Sequence, residues 1–120
     1  MKKNKNPFTP ALEGLKILFS KERNFQIHIA ITILALVACF LFQVKPWEWA
    51  TILIMIALVL SAEALNTAIE KTCDYVCQER HPQIKKIKDI AAGGVLICAF
   101  IAVAVGCIIF IPYLLGFFAS

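Results

Sequence analysis

Residues 49–74 read W-A-T-I-L-I-M-I-A-L-V-L-S-A-E-A-L-N-T-A-I-E-K-T-C-D, an uncharged run followed by regularly spaced polar side chains. Fourteen uncharged residues, 49–62, come first, and Glu63, Asn66 and Glu70 follow at offsets of three and seven. On an α-helix these offsets place the three side chains on one face, and Asp74 returns to that face one turn later. The stretch therefore predicts one long helix with a polar stripe, which we define as Glu63, Asn66, Glu70 and Asp74.

Glu63 is the most informative member of the polar stripe. Uncharged residues precede it, and five of the next six residues are apolar or small. A carboxylate at membrane depth is costly to desolvate and is retained mainly where it faces a protein interior and serves a function. We therefore take Glu63 as a site residue. For Asp74 we favour an ordinary charge at the membrane edge, because the nearby Lys71 marks the water boundary.

The composition identifies an integral membrane protein. Of 120 residues, 60% are hydrophobic and 17% are charged, whereas a soluble domain has about 25% charged residues. A membrane span needs about 20 predominantly apolar residues, and we predict three spans, at 25–44, 47–72 and 88–111. The expected fold is all-α, with residues 1–120 forming a single integral membrane domain.

Basic residues are concentrated before the first span and in the connection between the second and third spans, which lie on the same side of the membrane. The first connection between spans holds only Lys45, which Glu48 offsets. Because positive residues favour the cytoplasmic side, we expect the N-terminus and the 71–88 segment in the cytoplasm and the C-terminus outside. The other basic residues are Lys2, Lys3, Lys5, Lys16, Lys21 and Arg23 before the first span, and Lys71, Arg80, Lys85, Lys86 and Lys88 around the second connection.

Residues 10–20 have the pattern of an amphipathic helix. Their apolar side chains recur at helical spacing, and Glu13, Lys16 and Ser20 take the other side. Thr9 followed by Pro10 suits the N-cap and first turn of such a helix. We predict a helix that lies on the cytoplasmic membrane surface.

Two sites for phosphate chemistry follow from the residues alone. Glu22 is an acid among basic neighbours at the depth of Glu70, and two such acids suit Mg²⁺, which prefers oxygen ligands. Lys88 and Asp89 open the third span, where a helix N-terminus and a lysine favour phosphate. His28 we interpret as a partly buried polar residue, because no second His or Cys stands at ligand spacing.

The third span carries a row of small residues at intervals of four. Such rows allow close packing of membrane helices, within one chain or between chains. The residues are Gly94, Cys98, Ala102 and Gly106.

With these residues in hand, the chain resembles the prokaryotic diacylglycerol kinase family of small three-span lipid kinases. The resemblance runs from about residue 7 to 112. Its first motif is E-A-L-N-T-A-I-E with Asp74, at residues 63–74, and its second is K-D-I-A-A-G, at residues 88–93.

The resemblance implies a homotrimer whose active sites lie at cytoplasmic interfaces between protomers and transfer the γ-phosphoryl group of ATP to a lipid hydroxyl. On this basis, mixed assemblies of two inactive variants are expected to regain part of the activity. The resemblance implies that Glu63 is the general base and contacts the lipid, and that Asn66 is an active-site amide. It implies Mg²⁺ and ATP binding for Glu22 and Glu70. The implied nucleotide contacts are Glu79, His81, Lys88 and Asp89.

Two lipids are candidate substrates. The segment E-R-N-F-Q-I-H, residues 22–28, is similar to Gram-positive members of the family that phosphorylate undecaprenol, so we expect undecaprenol, with diacylglycerol as the alternative. From a different class, a small proton- or cation-coupled transporter would use Glu63 as its titrating carboxylate. The polar stripe gathers at one end of its span, which favours one-sided chemistry over a path across the membrane.

Overall fold

The computed structural model describes residues 6–119, which fold into four α-helices. They are α1 (Phe8–Lys21), α2 (Arg23–Phe42), α3 (Pro46–Val76) and α4 (Pro82–Ala119). The last three are long and apolar enough to cross a membrane. The predicted all-α membrane fold with three spans is confirmed.

The helix α1 begins earlier than the sequence pattern indicates. Its N-cap is Pro7, and the backbone N–H of Phe8 donates to Oδ1 of Asn6 at 3.0 Å. The expectation that Thr9 caps this helix is therefore wrong, because the Asn6 side chain already serves a free N–H at this end. None of the residues of α1 is buried, as expected of a helix lying on a surface.

Short breaks separate the helices. Glu22 adopts an extended conformation between α1 and α2, and Gln43 ends α2 in the left-handed region with φ 51°. Pro46 then stands in the first turn of α3, where a missing N–H costs nothing. The Glu48 carboxylate accepts a hydrogen bond from the Lys45 N–H at 2.9 Å, which fixes the start of α3.

The helices α3 and α4 continue beyond the predicted spans. With 38 residues, α4 is about 57 Å long at 1.5 Å per residue, nearly twice the thickness of a hydrocarbon core. We call the end that holds Glu22, the end of α3 and the start of α4 the basic end. Polar side chains gather there, whereas the apolar cluster of Cys39, Val44, Ile52 and Ile109 lies towards the opposite end.

Within the described residues, the two glycines of the small-residue row on α4 touch no other helix. A Cβ atom added at Gly94 would meet nothing within 4 Å, and one at Gly106 would meet only Cδ2 of Phe110, at 3.9 Å. Ala102 and Gly106 instead line an apolar groove of about 410 Å³ between α2, α3 and α4. Two of the four small residues thus form part of the groove wall.

Candidate active site

The polar stripe of α3 divides into a buried and an exposed half. Glu63 and Asn66 are only 3% and 6% exposed, whereas Glu70 and Asp74 are exposed. Nδ2 of Asn66 donates to Oε1 of Glu70 at 2.8 Å, one helical turn away. The stripe thus leads from the bundle interior to its polar surface.

Glu63 lies near titratable groups of α2, of the break before α2 and of its own helix. Nε2 of His28, on α2, lies 3.6 Å from Oε2 of Glu63. The Glu63 carboxylate also interacts electrostatically with Glu70 and Glu22. The predicted base and the two predicted metal ligands therefore lie in one neighbourhood, built by α2, α3 and the break before α2.

Two lysines form ion pairs at the edge of this neighbourhood. Nζ of Lys71 lies 3.1 Å from a carboxylate oxygen of Glu22, which ties the start of α2 to α3. Nζ of Lys88 lies 2.5 Å from Oδ1 of Asp74 and also interacts with Glu70. Asp74, for which the sequence predicts an ordinary charge at the membrane edge, is thus the partner of the predicted phosphate-binding lysine.

An open cleft of about 650 Å³ extends from Lys88 over the connection between α3 and α4. Three of the predicted nucleotide contacts, Glu79, His81 and Lys88, line it. The fourth, Asp89, lies outside the lining and is 2.6 Å from Lys85, which does line the cleft. The remaining lining residues are Asp74, Cys77, Gln78, Arg80, Pro82 and Ile84.

The oxygen atoms near Glu63 suit a hard cation such as Mg²⁺. Oδ1 of Asn66 is buried and has no hydrogen-bond partner among residues 6–119, and the Glu70 carboxylate beside it is exposed. Carboxylate and amide oxygens are ligands that Mg²⁺ accepts, together with water and substrate phosphates. Among the described residues, no three His, Cys, Asp or Glu side chains converge as a complete metal cage. The donor set fits a cation that takes few protein ligands.

Sequence reasoning missed the contacts of His28 and Lys71. The sequence predicts a partly buried polar residue at His28 and a marker of the water boundary at Lys71, and in the structure each also lies beside a predicted site carboxylate. The distance of each residue along its predicted helix could have indicated the contact between His28 and Glu63. His28 stands six residues after Glu22, about 9 Å deeper along α2, and Glu63 stands at the corresponding depth before Glu70.

Comparison with known proteins gives the same family over most of the chain. The family model for prokaryotic diacylglycerol kinase matches residues 9–110. The undecaprenol kinase of Bacillus subtilis is 40% identical over 107 residues, which cover 89% of this chain and 87% of that protein. Diacylglycerol kinases of Synechocystis sp. and Pseudomonas aeruginosa are 35% and 32% identical, over 91% and 88% of this chain and 63% and 83% of their own lengths.

Proposed function

The chain belongs to the prokaryotic diacylglycerol kinase family of membrane phosphotransferases with an alcohol group as acceptor, and from this membership we propose that it phosphorylates undecaprenol with ATP and Mg²⁺. Support for this acceptor comes from the 40% identity with the undecaprenol kinase of Bacillus subtilis. Diacylglycerol is the second candidate, since the other two relatives are diacylglycerol kinases.

The observation that carries the proposal is the position of Glu63. Its carboxylate is buried within the bundle, while the other polar groups of the site extend from it towards the basic end. A lipid hydroxyl reaches such a group from the membrane, and a nucleotide reaches the cleft from water. The groove between α2, α3 and α4 is lined mainly by apolar side chains, which favours one-sided chemistry over cation transport.

In the proposed reaction the lipid hydroxyl oxygen attacks the γ-phosphorus of ATP. Glu63 accepts the hydroxyl proton, a bond forms from the oxygen to the γ-phosphorus, and the bond to the bridging oxygen breaks, so that ADP leaves with the electron pair. A positioned base of this kind contributes about 10²–10⁴-fold. Lys88, close to Glu70, neutralises charge on the phosphates, since phosphoryl transfer depends mainly on alignment and charge compensation.

Glu22 and Glu70 are the proposed metal-binding residues, and Oδ1 of Asn66 offers a further oxygen beside Glu70. Bound Mg²⁺ would neutralise the phosphate oxygens. Lys71 holds the Glu22 carboxylate at the site entrance, which limits the negative charge that three neighbouring acids build up. Glu79, His81 and Asp89 are proposed to contact the nucleotide at and beside the cleft.

We further infer a multi-pass protein of the cytoplasmic (inner) membrane. The basic end would face the cytoplasm, because lysine and arginine are concentrated there, and the C-terminus would lie outside. A homotrimer is proposed from the family resemblance. Large apolar side chains along the helices, such as Phe40, Leu41 and Ile90, are more than 70% exposed in one chain and are free to meet lipid or other copies.

The decisive test is a lipid kinase assay on the purified full chain in mixed micelles. Labelled ATP and Mg²⁺ are supplied with either undecaprenol or diacylglycerol, and the extracted lipid is counted. We expect kcat/KM to be higher for undecaprenol. A preference for diacylglycerol would show that diacylglycerol, and not undecaprenol, is the acceptor. A lack of labelled lipid from either alcohol would refute the kinase proposal.

A further inference from the structure

His28 stands where two features of the molecule meet. Its Nε2 atom lies 3.6 Å from the buried Glu63 carboxylate. Its side chain also lines the groove of about 410 Å³ between α2, α3 and α4. His28 and Thr32, one turn further along α2, are the polar residues of a lining that is otherwise aliphatic, aromatic or thioether.

The charges around Glu63 give His28 a specific role. Among the residues that the structure describes, the other groups that interact with Glu63 electrostatically are Glu70 and Glu22, both of its own sign. Each nearby lysine is engaged elsewhere, Lys71 with Glu22 and Lys88 with Asp74. Within residues 6–119, the imidazole of His28 is the only basic group in ion-pair range of Glu63. A buried carboxylate among acids needs such a partner to keep one position.

The separation of 3.6 Å is slightly too long for a hydrogen bond. Hydrogen bonds of catalytic groups are often long without substrate and tighten when it binds. His28 is 20% exposed at its side chain and Glu63 is 4% exposed, so solvent offers the carboxylate little competition. A shortening of about 0.5 Å would bring Nε2 of His28 within hydrogen-bond distance of Glu63.

Resting on the kinase function proposed above, we propose that His28 is a positioning residue that holds the Glu63 carboxylate in place at the end of the apolar groove, ready for the acceptor hydroxyl. It does not take the hydroxyl proton itself. It acts through Glu63, by restricting the carboxylate to one orientation. Misplacing a reacting group by about 1 Å costs on the order of 10²-fold in rate.

The test compares His28→Ala, His28→Gln and Thr32→Val in the full chain. Steady-state kinetics give kcat and KM for ATP and for the lipid alcohol. Independently of turnover, an apolar carbodiimide, which reacts with carboxyl groups inside membrane proteins, reports the state of Glu63 by mass spectrometry. The Thr32→Val variant alters the wall of the same groove one turn away from His28 and is the control for the labelling measurement.

We expect His28→Ala to lower kcat by about 10- to 100-fold with KM for ATP changed less than twofold, and to change the labelling rate of Glu63 severalfold. The glutamine variant, which keeps a hydrogen-bond donor, should recover part of kcat. The Thr32→Val variant should leave Glu63 labelling at the wild-type rate.

Two results would overturn the role of His28. One is wild-type kcat and wild-type labelling in His28→Ala. The other is equal loss in the alanine and glutamine variants with unchanged labelling, which would indicate a packing role. Failure of the kinase proposal can be distinguished from both results, because the wild-type chain would then transfer no label to lipid. The rates at which the carbodiimide labels Glu63 in the wild type and in His28→Ala could still be compared.

Discussion

Single side chains decide the chemistry at the residue scale, and Glu63 illustrates how. The same carboxylate at the surface of α3 would be solvated and would exchange its proton with water. At 3% exposure, with His28 on one side and two acids nearby, its protonation depends on the protein. Burial in this setting is what supports the proposal that Glu63 is the base for a lipid hydroxyl.

The first prediction concerns Glu63→Gln. The amide keeps the shape of the side chain and removes the proton acceptor, so kcat should fall by about 10²-fold or more, while ATP affinity stays within about twofold because the cleft is untouched. Turnover and nucleotide binding by calorimetry measure the two effects. Glu13→Gln, on the exposed surface of α1, is the matched control. Loss of ATP binding together with turnover would reassign Glu63 to the nucleotide or metal site.

The second prediction concerns Glu70→Gln and Glu22→Gln. Each change removes an anionic oxygen that we assign to Mg²⁺, and Mg²⁺ tolerates few substitutions among its ligands. Both variants should need about tenfold or more Mg²⁺ for half-maximal turnover, with part of the rate restored at saturation. A Mg²⁺ titration at fixed ATP measures this. An unchanged Mg²⁺ titration curve for Glu22→Gln would show that Glu22 does not bind the metal and serves only in its ion pair with Lys71.

At the element scale, polar contacts tie α3 to α4 at both ends. Lys88 and Asp74 join them at the basic end, and the Tyr113 hydroxyl donates to the buried Glu48 carboxylate at the opposite end. The ring of Tyr113 also stacks on Phe42, with centroids 5.8 Å apart, which brings α2 into the same contact. Such contacts matter in a membrane, because lipid offers helices little hydrophobic reason to associate.

The third prediction tests the contact at the opposite end with Tyr113→Phe. The change leaves the stacked ring in place and removes one hydrogen bond to a buried carboxylate, so the midpoint of denaturant unfolding in detergent should fall. The kinetics should stay within about twofold, because the site is at the other end of the helices. Tyr75→Phe, at a position that is 92% exposed, is the control. Equal midpoints for both variants would show that the Glu48 contact adds no stability.

At the scale of the whole molecule, one chain already gathers most of the proposed site. Lys88 lies beside Asp74 and near Glu70, and Glu70 and Glu22 both interact with Glu63. The family resemblance implies sites shared between protomers, with partial rescue in mixed assemblies. Within a single chain, however, Glu63 and Lys88 both interact electrostatically with Glu70, and from this we expect both groups of one site to come from one chain.

The fourth prediction is therefore that co-assembled Glu63→Gln and Lys88→Ala chains stay inactive, because no chain then holds both groups. Mixtures of Glu63→Gln with wild-type chains serve as the control and should lose activity in proportion to the variant. Crosslinking establishes that mixed assemblies form and how many chains they contain. Recovered activity in the double-variant mixture would show that Glu63 and Lys88 of different chains build one site.

The sequence by itself was enough to predict three spans and the polar stripe, and both have local causes. A span is recognised by its length and apolar composition, since the bilayer excludes charge. The stripe follows from the helical repeat, which puts Glu63, Asn66 and Glu70 on one face whatever the rest of the chain does. The break before α3 was also readable, because Pro46 suits the first turn of a helix.

Only the tertiary structure decided which partner each charged side chain meets. His28 beside Glu63, Lys71 beside Glu22 and Lys88 beside Asp74 join residues 14 to 49 positions apart in the sequence. Such pairs depend on how far each helix is rotated about its axis and shifted along it, and helix periodicity leaves both undetermined. The packing of α2 and α4 against α3 sets these rotations, and with them the surroundings of Glu63.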